Sequence, residues 1–276
     1  MEPMSMVYEH QSALVTPNDY AIQKLLRETF PSTQIKIHQI TPLSDHLHRM
    51  FTITLTNNTR FFLKLPPSTT TPILQYERNC LASEAAVLTL LSRDRFPSAH
   101  ILHYDSQDRN LLNSPFLLTT YLPGSSYADI YPYLKQSQRS DIDQQLYTLR
   151  SRLSDLYISQ TFGPAALVAS GSGFSTWREA FNHMLERVLM DGEDITVNLP
   201  YIEIRDGLNR CGRCLDDVSE ARLLIVGLGR RKEDVRIERA TNDVVGLTGW
   251  SGALWGDIAF GDRSPSGTKV GVRELL

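Results

Sequence analysis

Apolar and polar positions alternate with two different periods along this chain, and the change of period divides it. After the capping sequence Thr16-Pro17-Asn18-Asp19, the residues Tyr20, Ile22, Leu25, Leu26 and Phe30 recur at helical spacing, and Pro31 ends the run. Gln34–Ile40, Met50–Leu55 and Phe61–Leu65 then read as strands, the last two turning at Asn57-Asn58. Tyr76–Leu91 predicts a long helix with Ala82, Ala85, Ala86, Leu88 and Leu91 among its packing positions. Ile101–Tyr104 and Phe116–Thr120 read as further strands. Past Pro123-Gly124 the period becomes helical. Ser140–Gln160 carries a stripe of Leu146, Leu149, Leu153 and Leu156, which reads as core. A second helix is capped by Ser175 or Thr176 and reaches about Asp191. A third starts at Asn198-Leu199-Pro200-Tyr201 and runs through Cys214 to about Val218. The final third returns to short strands: Leu223–Val226, then Val235 with Ile237, the turn Thr241–Asp243, and Val244–Thr248 leading into Gly249-Trp250-Ser251.

That last stretch and several segments before it carry a resemblance. Ala253-Leu254-Trp255-Gly256-Asp257 behind Trp250, the Phe162-Gly163-Pro164 triplet and Ser175-Thr176-Trp177-Arg178-Glu179-Ala180-Phe181 are similar to motifs of the fungal branch of the aminoglycoside phosphotransferase and choline kinase-like family. Lys64 on a strand and Glu84 on the following helix match that family's strand Lys and helix Glu, and Tyr121-Leu122-Pro123-Gly124 resembles its hinge. The resemblance covers roughly residues 30 to 260. It implies an α+β, bilobal, protein-kinase-like (aminoglycoside phosphotransferase) fold with a shortened C-terminal lobe. The expected division is an N-terminal lobe at 1–122 and a mostly helical C-terminal lobe at 123–276.

The chemical positions depart from the family pattern. Where the metal-binding Asp is expected stands Gly249, and Ser251 follows Trp250. The catalytic loop H-x-D-x-x-x-x-N aligns in two registers. Anchored on Arg222-Leu223-Leu224, its Asp falls on Gly227 and its Asn on Lys232. Anchored on Val235-Arg236-Ile237, its Asp falls on Gly229, its Asn on Asp234 and its His on Gly227. Neither register supplies both base and Asn. Phosphoryl transfer needs cations to offset charge on the phosphate oxygens and a carboxylate to orient the nucleophile. Glycine offers neither. The segment Pro42–Arg49, where a Gly-rich phosphate loop would lie, contains no glycine. Its His46 and His48 read as solvated loop residues.

Composition narrows the classes further. With 276 residues and 41% hydrophobic content the chain can bury a sizeable core. A net charge of −3 argues against a nucleic-acid partner, and no apolar run approaches the ~20 residues of a membrane span. The N-terminus lacks a signal-peptide pattern, so a cytoplasmic location is expected. Cys211 and Cys214 have redox-motif spacing but sit on a helical pattern, and no second ligand pair exists for zinc. No metal and no cofactor are expected.

Three readings follow. In the first, the cleft binds a small hydrophobic substrate through Lys64, Glu84, Thr119, Tyr121 and Trp250 and promotes a cofactor-independent cyclisation, of the intramolecular Diels–Alder type on a terpenoid or polyene, in secondary metabolism. The second is a non-catalytic pseudokinase, and the third a weak phosphotransferase using Asp234 or Asp257. Lys64 and Glu84 read equally as a cleft charge or as an ion pair tying helix to sheet.

Overall fold

The computed structural model describes residues 17–31, 34–43, 48–68, 71, 73–226 and 231–261. Five antiparallel strands, β1 (Ile37–Leu43), β2 (Arg49–Leu55), β3 (Arg60–Leu65), β4 (Ile101–Asp105) and β5 (Phe116–Thr120), form one sheet in the order β1-β2-β3-β5-β4. Side chains alternate across a strand, so Phe51, Ile53, Leu55, Phe61, Leu63, Leu65, Phe116 and Leu118 share one face. Helix α1 (Asp19–Thr29) closes that face with Ile22, Leu25 and Leu26. Its start is fixed by the Asn18 side chain, which accepts the Tyr20 N–H at 2.9 Å. Tyr20 itself points outward, 73% exposed, and does not belong to the apolar face.

β1 begins three positions later than the sequence pattern places it. Ile35 is buried but outside the ladder, because Gln23 of α1 holds this segment: its Nε2 donates to the Ile35 carbonyl at 2.9 Å and its Oε1 accepts the Ile37 N–H at 3.1 Å. The helix predicted from Tyr76 is also divided. Gln75–Asn79 is a 3₁₀ turn, and helix α2 runs Cys80–Leu91. The turn is pinned from outside, with the Gln75 N–H donating to the buried Asp191 carboxylate at 2.8 Å. The α2 sequence CLASEAAVLTLL is apolar nearly all round, and such a helix belongs in an interior. Leu81, Ala85, Val87, Leu88 and Leu91 accordingly join a core with Leu223, Ile225, Leu247 and Trp250 from the second half of the chain.

That second half is built on helices Gln136–Leu156, Trp177–Asp194 and Tyr201–Leu215. Ile142, Leu146 and Leu153 of the first are buried; Leu156, expected in the stripe, is half exposed because the helix ends there and the chain turns into a short strand. Thr176 caps the second helix. Its Oγ1 accepts the Glu179 N–H at 3.2 Å while Glu179 Oε2 accepts the Thr176 N–H at 3.3 Å. Trp177 is 1% exposed, stacked edge-on with Phe181 and Phe260, and lies where a Cβ on Gly256 would fall. Phe162 and Phe174 exchange backbone hydrogen bonds at 2.9 Å. The segments that carry the family resemblance here are therefore packing segments.

A four-stranded sheet joins Ile158–Ser159, Ala221–Ile225, Ala253–Gly256 and Gly163–Pro164, and a hairpin of Val235–Ile237 and Val244–Leu247 pairs with Ser125–Ser126. Cys211 and Cys214 sit on helix Tyr201–Leu215 as free thiols. Among the described residues no helix is long and apolar enough to cross a membrane.

Candidate functional site

Between the five-stranded sheet and the hairpin lies a cleft of about 720 Å³. Each wall follows from a local periodicity. In β3, Phe61, Leu63 and Leu65 face α1, so Phe62 and Lys64 face the cleft. In α2, the four-residue spacing Cys80, Glu84, Leu88 aligns three side chains along the same cleft. Lys64 Nζ donates to Glu84 Oε2 at 2.5 Å, with the two side chains only 8% and 9% exposed. Burial pushes the neighbouring Cys80 thiol up to about 11, against the opposing pull of the Lys64 charge.

β5 contributes Leu117 and Thr119 and leads into Tyr121 and Leu122. Thr119 is buried, and the Arg60 guanidinium lies 4.0 Å over the Tyr121 ring. The chain then crosses to the hairpin at Gly124. Its φ of +89° and the Ile237 carbonyl, 2.8 Å from where a Cβ would stand, leave room for glycine alone. His48 also lines the cleft and is 8% exposed, so the solvated reading of this histidine is corrected. His46 lies outside the described residues.

The floor is the hairpin and the loop behind it. Val235 and Ile237 are fully buried in the core, and Arg236 between them faces the cleft. Asp234 immediately precedes this strand. It holds the loop at both ends: its carbonyl accepts the Thr248 N–H at 2.8 Å, and its Oδ1 accepts from Thr248 Oγ1 at 3.2 Å. Its Oδ2 is 3.9 Å from Arg231 Nε. Opposite stands Gly249 at φ +82°, where a Cβ would lie 2.6 Å from Asp234 Oδ2 and 2.8 Å from its Cγ. Lys232, the alternative Asn position, instead places its Nζ 3.7 Å over the Tyr131 ring. Asp234 and Gly249 thus face each other across the cavity. Gly227 and Gly229 lie outside the described residues.

Trp250 contributes a wall rather than a donor. It is 1% exposed, its Nε1–H donates to the Leu247 carbonyl at 2.9 Å, and Phe96 meets it edge-on at 5.7 Å. Asp257 Oδ1 accepts the Ala259 N–H at 3.0 Å and so caps the short helix Ile258–Gly261. Lys64, Glu84, Thr119, Tyr121, Asp234, Gly249 and Trp250 all line one cavity. Sequence reasoning missed Cys80, Leu88 and Arg236. The alternation Val235-Arg236-Ile237 is the signal that points Arg236 away from the core.

The sequence profile of the phosphotransferase enzyme family (APH) matches residues 39–201, more than half of the chain. The chain belongs to this family. The match ends ahead of the loop that carries Asp234 and Gly249. No curated protein sequence matches. Among solved structures, a thermostable mutant of aminoglycoside phosphotransferase APH(4)-Ia, in ternary complex with ADP and hygromycin B, superimposes with a TM-score of 0.58 at 16% identity, covering 87% of this chain and 74% of that one. A mutant of aminoglycoside 2′-phosphotransferase IIIa, in complex with GDP, gives 0.53 at 14% identity, covering 87% and 74%. Identities this low speak for the fold alone.

The cavity brings the Lys64–Glu84 pair and the Asp234 carboxylate together, while position 249 is a glycine. Glu233 and Asp234 of this loop both line the cavity; Asp234 Oδ1 accepts from Thr248 Oγ1, and its Oδ2 lies 3.9 Å from Arg231 Nε. Among the described residues no group of three His, Cys, Asp or Glu is placed to hold a metal ion.

Proposed function

We propose that the cleft binds a small organic molecule and that the protein acts on it without the metal-assisted phosphoryl transfer of its relatives. The carrying observation is the pairing of Gly249 with Asp234: the expected metal-ligand position has no carboxylate, and the adjacent one fills the space that a side chain there would need. The reaction class that suits such a cleft is a cofactor-independent cyclisation, an intramolecular Diels–Alder-type closure of a terpenoid or polyene. Two π bonds become two σ bonds, with no leaving group and no base. The enclosing walls of Phe62, Leu88, Leu117, Leu122 and Leu247 would hold a flexible chain in its reactive fold, which lowers the entropic part of the barrier. The test is incubation of a linear diene–dienophile precursor with and without protein. An unchanged rate and product ratio across a panel of such precursors sinks the cyclisation.

One observation favours a second reading. The Lys64–Glu84 pair is intact, and the Asp234 carboxylate lies in the same cavity, which supports residual nucleotide binding or weak phosphotransfer. Thermal shift with ATP and Mg²⁺ separates the two readings: the first expects no stabilisation, the second a rise that saturates with nucleotide. Transfer of labelled γ-phosphate to any alcohol or amine would decide for the second.

A further inference from the structure

The floor of the cleft holds a charge that the proposed function leaves unused. Arg236 is half-buried between Val235 and Ile237, both fully buried, and its backbone is paired with Gly246 on one side and Ser126, just past the hinge, on the other. A ladder partner on each side fixes the direction of its side chain, into the cleft. Among the described residues no carboxylate lies within 4.0 Å of its guanidinium, while six other arginine or lysine side chains there do hold such partners. Asp129 and Glu233 line the same cleft, but both are exposed and remain outside that distance. A guanidinium on the floor of a concave site is a costly choice where leucine would serve, unless an acceptor arrives with the ligand. Its planar fork of five donors suits a carboxylate or phosphate better than any neutral group.

We propose that Arg236 anchors an oxyanion of the cleft ligand, so that the ligand is an acid with an apolar body: the anion is held on the hairpin floor beside the hinge, and the body lies against Phe62, Leu88 and Leu117. This rests on the small-molecule reading above and narrows its substrate class.

The probes are cis-parinaric acid, whose fluorescence rises on binding, and its methyl ester, which differs in the loss of the charge alone. Wild-type protein is expected to bind the acid at least 10-fold more tightly than the ester. Arg236→Met should weaken the acid by about 10- to 100-fold and leave the ester within about two-fold. Arg236→Lys should fall between, and Arg109→Leu on an exposed loop should change neither. If Arg236→Met does not fold, Arg236→Gln serves in its place. Equal affinity of wild type for acid and ester, or a parallel loss of both in the variant, overturns the anchor and leaves the cleft reading standing. Binding of neither probe to wild type overturns the anchor together with the cleft reading on which it rests.

Discussion

Replacing Lys64 by Met removes one member of a buried ion pair without removing the volume of its stem. The pair lies at 2.5 Å with side chains 8% and 9% exposed, so solvent does little to screen the charge left behind. Stranding Glu84 in this way costs about 3–5 kcal/mol. For a chain of this length one kcal/mol moves the midpoint by roughly 2–4 °C, so the expected drop in Tm is about 6–20 °C. Adding Glu84→Leu should recover most of that loss, because an apolar pair of similar volume is close to neutral where a charge pair stood. Urea unfolding followed by circular dichroism on the wild type, both single variants and the double closes the cycle, with an expected coupling of at least about 3 kcal/mol. A single-variant cost under about 1 kcal/mol, or a double variant as unstable as the sum of the singles, would refute the clamp. The double variant then serves function. It keeps the scaffold and removes the cleft charge, so a loss of ligand affinity in it assigns Lys64 and Glu84 to binding.

Three further outcomes follow from the same geometry. Gly249→Ala should cost about 1–3 kcal/mol in urea unfolding, since alanine is strained at φ +82° and its Cβ would crowd Asp234 Oδ2; a neutral substitution would show that Asp234 is free to move. Cys80, pushed up to about 11 by burial, should react with iodoacetamide at pH 8 about 100-fold more slowly than the exposed Cys214, as read by mass spectrometry; equal labelling would contradict the closed α2 wall. Burial, and secondarily Arg187, holds His183 below its ordinary value, so the folded state binds fewer protons than the unfolded one as pH falls past about 6.5. Stability should therefore decline on acidification below that point, and His183→Gln should flatten the slope in melts between pH 7 and pH 5; an unchanged slope would remove His183 from the account.

How much of this was legible in the chain depended on what fixed each element. β5 and the cap at Thr176 follow from local chemistry, and both stand where the pattern put them. The errors fall where a distant residue intervened. Gln23 draws the start of β1 away from the ladder, and Asp191 takes the Gln75 N–H, so that the segment ahead of Cys80 coils as a 3₁₀ turn instead of continuing α2. Neither partner can be inferred from periodicity, since each acts across the fold. The cleft residues divide the same way. Lys64 and Glu84 were visible through the motif, whereas Cys80 and Leu88 entered the site only once α2 had a definite face toward it.

The glycine at position 249 and the shape of the cleft concern different parts of the molecule. What holds this fold together lies elsewhere. Trp177 against Gly256, the reciprocal bonds of Phe162 and Phe174, and α2 sunk between sheet and helices are all apolar or backbone contacts. A metal-binding acid adds charge repulsion and desolvation to an apo structure and stabilises it only when a cation is bound. Asp234 accepts from Thr248 Oγ1 at 3.2 Å and ties the loop to the end of the hairpin. Walls built from such contacts are compatible with either reading of the cleft, and the nucleotide and precursor assays decide between them.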